Sequence, residues 1–286
     1  MLYNNNPLVS FLLFTYNQEK YVEKAIEGAL EQSYSPLEII ISDDCSTDGT
    51  YKIIENSVRK YNGPHKVIIN RNDKNLGIAE HVNKVFEMAK GYFFVLAAGD
   101  DISLSGRTQF LHDIFQSNES IMAVCSGYEK IDKNNLPLGI RITSQTGLDD
   151  NSALKRIKNN IWFGSTAAIK ASVYDFFGDF QFKCADDRPY YRRACMLGNI
   201  YRTNKILVKY RIGGISNDTF NAAKSMLMND MQIAGYKQCK HDLNKILLFK
   251  AEKVKIKILL FKLLILAYIE RSFLLIIKKC GKWYGK

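Results

Sequence analysis

The residues with the most chemistry in them come in adjacent pairs. The segment Leu37–Thr50, LEIIISDDCSTDGT, carries an apolar, β-branched run into Asp43 and Asp44, and a turn follows at Ser46-Thr47-Asp48-Gly49. Tyr92–Ala97 runs the same way into Asp100 and Asp101. Paired carboxylates can accept hydrogen bonds from a sugar or a base, hold a hard divalent cation through oxygen, or take a proton from a substrate. A plainer role stands beside each. Asp43 and Asp44 could satisfy their own turn and cap a helix starting near Asp48; Asp100 and Asp101 could cap a helix over Ser103–Phe115. One aspartate suffices for a cap, so the doubling favours a ligand.

Such residues act together only if the fold gathers them. Val9–Phe14 is an apolar run ending in Thr15-Tyr16-Asn17, followed by a helical spacing of Tyr21, Val22, Ala25, Ile26 and Leu30. Val67–Asn70 is a third strand pattern, and Asn75-Leu76-Gly77 opens a helix carrying Val82, Val85, Phe86 and Ala89. With Tyr92–Ala97 this makes four strand-then-helix units. They predict an α/β fold with a mostly parallel central sheet, right-handed crossovers and helices on both faces. All parallel strands then end on one edge, where open α/β sheets take their ligands. Tyr16, Asp43, Asp44, Asp100 and Asp101 converge there.

The chain has 286 residues, 47% of them hydrophobic and 12% aromatic, enough for a sizeable core and too apolar for disorder. Cys45, Cys125, Cys184, Cys195, Cys239 and Cys280 show no C-x-x-C spacing, which predicts reduced thiols and neither a zinc site nor a disulfide framework. Met1–Asn6 is polar and leads straight into the first strand, so no signal peptide is expected. Net charge is +11, and between Lys240 and Lys286 twelve Lys/Arg face three acidic residues, so +9 of it lies there. These cations alternate with Leu, Ile and Phe and form no stripe on the main domain, which argues against nucleic acid as a partner. Within Lys245–Ile277 the longest charge-free run is Leu263–Ile269, far short of the roughly 20 residues of a spanning helix. Residues 221–286 therefore read as a basic amphipathic tail lying on an anionic membrane surface. The alternative is a helix packed on the main domain, residues 1–220, or on a second subunit of a homodimer.

Four segments carry a family resemblance: Phe14–Ile26 (FTYNQEKYVEKAI), Ser42–Thr50 (SDDCSTDGT), Asn75–Asp101, and Asp186–Ser216. In order and separation they resemble the family 2 glycosyltransferases of GT-A fold, inverting enzymes that use nucleotide-diphospho-sugars. The resemblance implies a donor half over residues 1–101 and an acceptor half over 102–220. Tyr16 would stack on the base, Asp44 with Asp43 would accept hydrogen bonds from a uracil-type ring or ribose, and Thr15 and Asn17 would sit beside them. Asn75 and Gly77 resemble the family's N-x-G segment, with Gly77 permitting close backbone approach at a helix start; Asn83, farther along it, is as readily structural. Ala98-Gly99-Asp100-Asp101 stands where the family has its D-x-D motif, which binds Mn2+ or Mg2+. Ala98 replaces the first Asp, leaving Asp100, with Asp101 after it, as the metal ligands.

Cys184–Arg193 resembles the segment of the catalytic base, which falls on Asp187, with Asp186 in place of the usual Glu. Arg193, six residues on, would anchor its helix or reach phosphate. Tyr210–Ser216 resembles the segment that closes over the donor diphosphate; Gly213 stands where many relatives have His, which leaves Arg211 as the phosphate contact. Trp162 and Phe163 would lie on the acceptor side, by stacking on a sugar or by packing. The four histidines match none of these motifs.

The expectation is thus a metal-dependent inverting transfer of a sugar, from a UDP-sugar, to a glycan or lipid-linked oligosaccharide. It would take place at the cytoplasmic face of the cell membrane and feed a surface polysaccharide. A sugar nucleotidyltransferase would need a glycine-rich loop that Val9–Asn17 lacks. A catalytically inactive sugar- or nucleotide-binding subunit has Ala98 in its favour and Asp44, Asp100 and Asp187 against it.

Overall fold

Runs of six or seven β-branched, aromatic and aliphatic residues make the first four strands, and amphipathic helices join them. In chain order these are β1 Val9–Thr15, α1 Val22–Leu30, β2 Leu37–Asp43, α2 Thr50–Arg59, β3 Lys66–Arg71, α3 Ile78–Met88 and β4 Phe93–Ala98. The structure, a computed structural model, describes residues 6–142, 146–149, 152–159, 164–183, 188–213, 222–245, 255–266 and 268. The chain continues through β5 Ile102–Ser103, α4 Arg107–Ser117, β6 Ile121–Ile131, β7 Pro137–Arg141, β8 Gly147–Asp149 and α5 Ala153–Asn159. Then come β9 Ala167–Lys170, α6 Ala171–Phe177, α7 Arg188–Leu197, β10 Asn199–Arg211 and α8 Ala222–Leu243. Residues 255–266 are helical.

The strands form one sheet in the order β3-β2-β1-β4-β9-β6-β10-β5, with β7 on β6 and β8 on β10. β1 to β4 are mutually parallel where they pair, as the strand-then-helix pattern requires. Beyond β4 the sheet is mixed: β9 runs antiparallel to both β4 and β6, while β10 is parallel to β6. Register sets the site. Thr15 lies opposite Asp43 and Phe14 opposite Ala98, so β1, β2 and β4 end nearly level.

Side chains alternate between two core layers, as pleated strands demand. Phe11, Leu13, Ile39, Ile41 and Val95 pack with Val22 and Ile26 of α1 and Leu111 and Phe115 of α4. Leu12, Ile40, Phe94 and Leu96 pack on the other face with Val82 and Phe86 of α3 and Tyr190 and Tyr191 of α7. Each fully buried side chain of this size contributes about 1.5–3 kcal/mol.

The chain beyond residue 220 shares this second core. Cys239 and Leu243 of α8 and Ile256 and Leu260 of the helix at 255–266 belong to the same buried cluster as α3 and α7. The opposite side of that last helix exposes Ile258, Phe261 and Ile265, with Lys255, Lys257 and Lys262 also exposed. None of the described helices is long and apolar enough to cross a membrane. Cys45, Cys125, Cys195 and Cys239 are free thiols.

Candidate active site

The edge where β1 and β2 end is tied by short polar side chains. Asp43, the last residue of β2, is wholly buried. Its carboxylate accepts from Thr15 Oγ1 at 3.1 Å, Ser46 N at 2.8 Å and Ser46 Oγ at 2.5 Å, and Arg71 Nε stands 3.8 Å away. Asn17 N donates to Ser46 Oγ at 2.8 Å, and Asn17 Oδ1 accepts from Thr47 N at 2.8 Å. Asn17 takes φ 51°, a left-handed conformation that asparagine tolerates. Thr15, Asn17 and Asp43 therefore hold the two loops against each other. Tyr16, between Thr15 and Asn17, is partly exposed on this edge.

Asp44 is the next residue and does something different. Its carboxylate accepts from Asn72 Nδ2 at 2.8 Å, Leu76 N at 2.9 Å and Gly77 N at 2.9 Å. Asn75 Oδ1 accepts from the same Gly77 N at 2.8 Å. Asp44 thus anchors the turn that opens α3. Gly77 caps that helix with φ 75°, a conformation that strains any side chain. Lys84 Nζ donates to Asn72 Oδ1 at 2.9 Å and so braces the residue that braces Asp44.

Beneath lies a residue that sequence reasoning left without a role. His81 Nε2 is 2.7 Å from Ser42 Oγ, and its ring meets Phe14 edge-on at 5.4 Å. Burial pushes its pKa below the ordinary imidazole value, against the pull of Asp44 and Asp43, and Lys84 pushes the same way as burial. The signal was available: His81 shares the buried face of α3 with Val82 and Val85, directly under the β2 carboxylates.

The second acidic pair splits. The turn after β4 is held by Gly99 N donating to Phe14 O at 2.9 Å and Asp101 N donating to Ala98 O at 3.1 Å. A Cβ on Gly99 would overlap the Gln18 side chain and Thr15 Cγ2. Asp100 is partly exposed, whereas Asp101 is 5% exposed and accepts from Arg211 N at 2.8 Å. Burial, then the charge of Asp100, lifts the Asp101 carboxyl to about 7. Asp101 therefore faces the protein, and Asp100 is the more exposed member of the pair.

Arg211 also turns inward. It is 3% exposed, and its guanidinium donates to Asp100 O, Asp132 O and Asn135 Oδ1 while lying 4.4 Å from the Tyr21 ring. The sequence pointed it at phosphate; in the structure protein acceptors take it. Arg193 anchors its helix, one of its two expected roles, through Asp242 and the carbonyls of Gly178 and Asp179. Asn83 is structural: it exchanges two hydrogen bonds with the main chain of Phe180, at 2.9 and 3.2 Å. Asp186, Asp187, Trp162 and Phe163 lie outside the described residues; α7 starts at Arg188, immediately after Asp187.

The donor set suits a divalent ion held jointly with a substrate. No group of three or more His, Cys, Asp or Glu among the described residues could hold one unaided. Asp100 offers a hard oxygen at a strand end, of the kind a divalent cation takes.

The comparisons agree with this arrangement. The chain is 28% identical over 224 residues to the putative teichuronic acid biosynthesis glycosyltransferase TuaG of Bacillus subtilis, covering 77% of this chain and 86% of that one. The crystal structure of S. aureus TarS 1–349 with UDP-GlcNAc superposes with a TM-score of 0.65 at 17% identity, over 86% of this chain and 69% of that one. The mannosyltransferase PcManGT of Pyrobaculum calidifontis, with GDP-Man and Mn2+, gives 0.63 at 16% identity, over 99% and 77%. At these identities the structural likeness is one of fold, the α/β GT-A arrangement that the motifs implied. The sequence profile of glycosyl transferase family 2 matches residues 10–176, from the second residue of β1 to the end of α6. With more than half its length inside that profile, the chain belongs to glycosyl transferase family 2.

Proposed function

We propose that this glycosyltransferase moves a sugar from a UDP-sugar to a glycan acceptor carried on lipid, with inversion and with Mn2+ or Mg2+. The observation that carries the reading is the level ending of β1, β2 and β4, which brings Tyr16, Asp44 and Asp100 to one edge of the sheet.

Each residue then has a task. Tyr16 stacks on the base, and Asp44, only 4% exposed and oriented by Asn72 and the Leu76–Gly77 backbone, has acceptor capacity left for one ring N–H or ribose hydroxyl brought against it. Thr15, Asn17 and Asp43 keep the β1 and β2 loops in place around the nucleotide. Asn75 and Gly77 present main chain to the donor. Asp100 would hold a divalent ion shared with the donor, and such an ion would supply charge neutralisation for the departing nucleotide. Asp187, at the entrance to α7, takes the proton of the acceptor hydroxyl, Asp186 supports it, and Trp162 and Phe163 line the acceptor side.

The complexes of TarS with UDP-GlcNAc and of PcManGT with GDP-Man and Mn2+ support a nucleotide-sugar donor and a divalent metal. A carboxylate acceptor suits a base with a ring N–H, which uracil and guanine present and adenine and cytosine lack. The teichuronic acid role in the name of TuaG supports a surface polysaccharide as product. The exposed Ile258, Phe261 and Ile265, flanked by Lys255, Lys257 and Lys262, support peripheral attachment to the anionic inner face of the membrane. A hydrolysis screen of UDP-, GDP- and dTDP-sugars with Mn2+ tests the donor. Turnover confined to GDP-sugars would sink the uridine reading, and full activity in EDTA would remove the metal.

A further inference from the structure

Arg211 closes β10, yet its side chain acts on three other segments. Nε donates to the Asp100 carbonyl at 2.9 Å, Nη1 to the Asp132 carbonyl at 2.5 Å, and Nη2 to Asn135 Oδ1 at 2.6 Å. Its own backbone N–H donates to the Asp101 carboxylate at 2.8 Å. The guanidinium carbon sits 4.4 Å from the centre of the Tyr21 ring, one residue before α1. One nearly buried residue therefore grips the acidic turn by the main chain of Asp100 and the side chain of Asp101. It ties that turn to the β6–β7 hairpin and to the start of α1.

We propose that Arg211 is a positioning residue: it fixes the peptide of Asp100 so that the Asp100 carboxylate is held ready for the metal diphosphate. The proposal rests on the reading of Asp100 as the metal-holding carboxylate. With the Asp100 carbonyl held by Arg211 and the Asp101 N–H held by Ala98 O, the turn is fixed on both sides of one peptide bond. The Asp100 side chain then projects from a main chain fixed in place. The task calls for a guanidinium. Three acceptors in three directions match its planar fork, and a lysine ammonium on a flexible stem cannot satisfy all three in that geometry. Its neighbours are built for it as well. Asn135 adopts φ 67° in the hairpin turn, which carries its Oδ1 to Nη2.

The bland alternative is that Arg211 only stabilises the fold; the sharper rival is that it contacts phosphate directly. The test uses the full chain and three variants. Arg211→Lys keeps the charge and loses the fork. Asn135→Gly keeps the left-handed turn and removes one acceptor, so it stays informative if the arginine variant folds poorly. Asp100→Ala is the reference for a lost ligand. Mn2+ binding is titrated calorimetrically with saturating UDP, UDP binding is measured separately in EDTA, and melting temperature is recorded for each.

The expected result is a Mn2+ Kd raised roughly tenfold in Arg211→Lys, the scale of one lost charge-assisted hydrogen bond. A smaller rise is expected in Asn135→Gly, with UDP binding in EDTA unchanged in both. Lowered melting temperature with unchanged Mn2+ affinity in both variants would leave Arg211 as a structural residue and overturn the proposal. Weaker UDP binding in EDTA for Arg211→Lys alone would make it a phosphate contact instead. If wild type binds Mn2+ and Asp100→Ala binds it equally well, the assignment of Asp100 fails first and takes the proposal with it.

Discussion

Arg193 on α7 and Asp242 on α8 form a two-point ion pair, Nε to Oδ2 at 2.8 Å and Nη2 to Oδ1 at 3.1 Å, with side chains 2% and 1% exposed. Gln238 Nε2 adds a third bond to Asp242 at 2.9 Å, and the Arg193 guanidinium lies 4.3 Å from the centre of the Phe180 ring. Such a pair says little about net stability while intact, but removing one partner strands a buried charge. Asp242→Ala should cost about 3–5 kcal/mol in urea denaturation. Converting both partners to Met and Leu should recover much of that loss. A chain cut at residue 220 should fail to fold, because the cut removes Asp242 and the core residues Cys239 and Leu243. A folded, donor-hydrolysing fragment 1–220 would contradict this.

Asp44 anchors the start of α3 and is proposed to bind the nucleotide, and one pair of substitutions can separate the two. Asp44→Ala leaves two backbone N–H groups and Asn72 without their acceptor, which should destabilise by about 1–3 kcal/mol and abolish measurable UDP binding. Asn72→Ala removes one brace and leaves the carboxylate. It should weaken UDP binding several-fold with little loss of melting temperature. If UDP binding survives Asp44→Ala unchanged, Asp44 is only the anchor of α3.

His81 gives a pH signature. Its folded pKa lies below the ordinary value of 6.5, chiefly through burial. The unfolded chain therefore takes up the proton first as pH falls. The stability that depends on neutral His81 is complete above about pH 6.5 and is lost progressively below it. Asp43, Asp44 and Lys84 also face this imidazole. Urea midpoints at pH 7.5 and 5.5 should differ more in wild type than in His81→Gln. Equal differences would place the acid sensitivity elsewhere.

Asp187→Asn keeps the shape and loses the base. Sugar transfer should fall roughly 10²–10⁴-fold, the usual scale of general-base loss, with the donor KM nearly unchanged. Matching losses in donor affinity and turnover would mark Asp187 as a binding residue.

The helix at 255–266 can be tested without touching its packed side. Lys255, Lys257 and Lys262 changed together to Gln, with Ile256 and Leu260 intact, should leave the melting temperature unchanged. Flotation with anionic vesicles should be lost, on the basis of about 1 kcal/mol per lysine near such a surface. A wild-type chain that does not float but sediments as a dimer would assign the exposed face to a second copy.

Much of the donor side was legible because it depends on local signals. Strand runs, helical spacing and turn residues are short-range, and together they placed β1 to β4 and the common edge of Tyr16, Asp44 and Asp100. The roles of Asp101 and Arg211 were not legible in the same way. Arg211 N and the Asp101 carboxylate meet across 110 positions, a contact that no local pattern encodes. A buried arginine and an exposed phosphate-binding one also look alike in sequence. The tail misled for a related reason. Its lysines are conspicuous, but Ile256 and Leu260, which seat it in the core, are indistinguishable by composition from the apolar residues left outside.

Two glycines flank the acidic turn and stand under opposite constraints. Gly106 has open space where a side chain would go, so that position is free to drift. Gly99 lies against Thr15 Cγ2 and the Gln18 side chain, so even an alanine there would require those side chains to shift. The spacing between the β4 strand and Asp100 is thus guarded by packing as well as by main-chain hydrogen bonds, at a residue that need never touch a substrate. Mutational scanning of this enzyme should find Gly99 less tolerant than Gly106, for a purely mechanical reason.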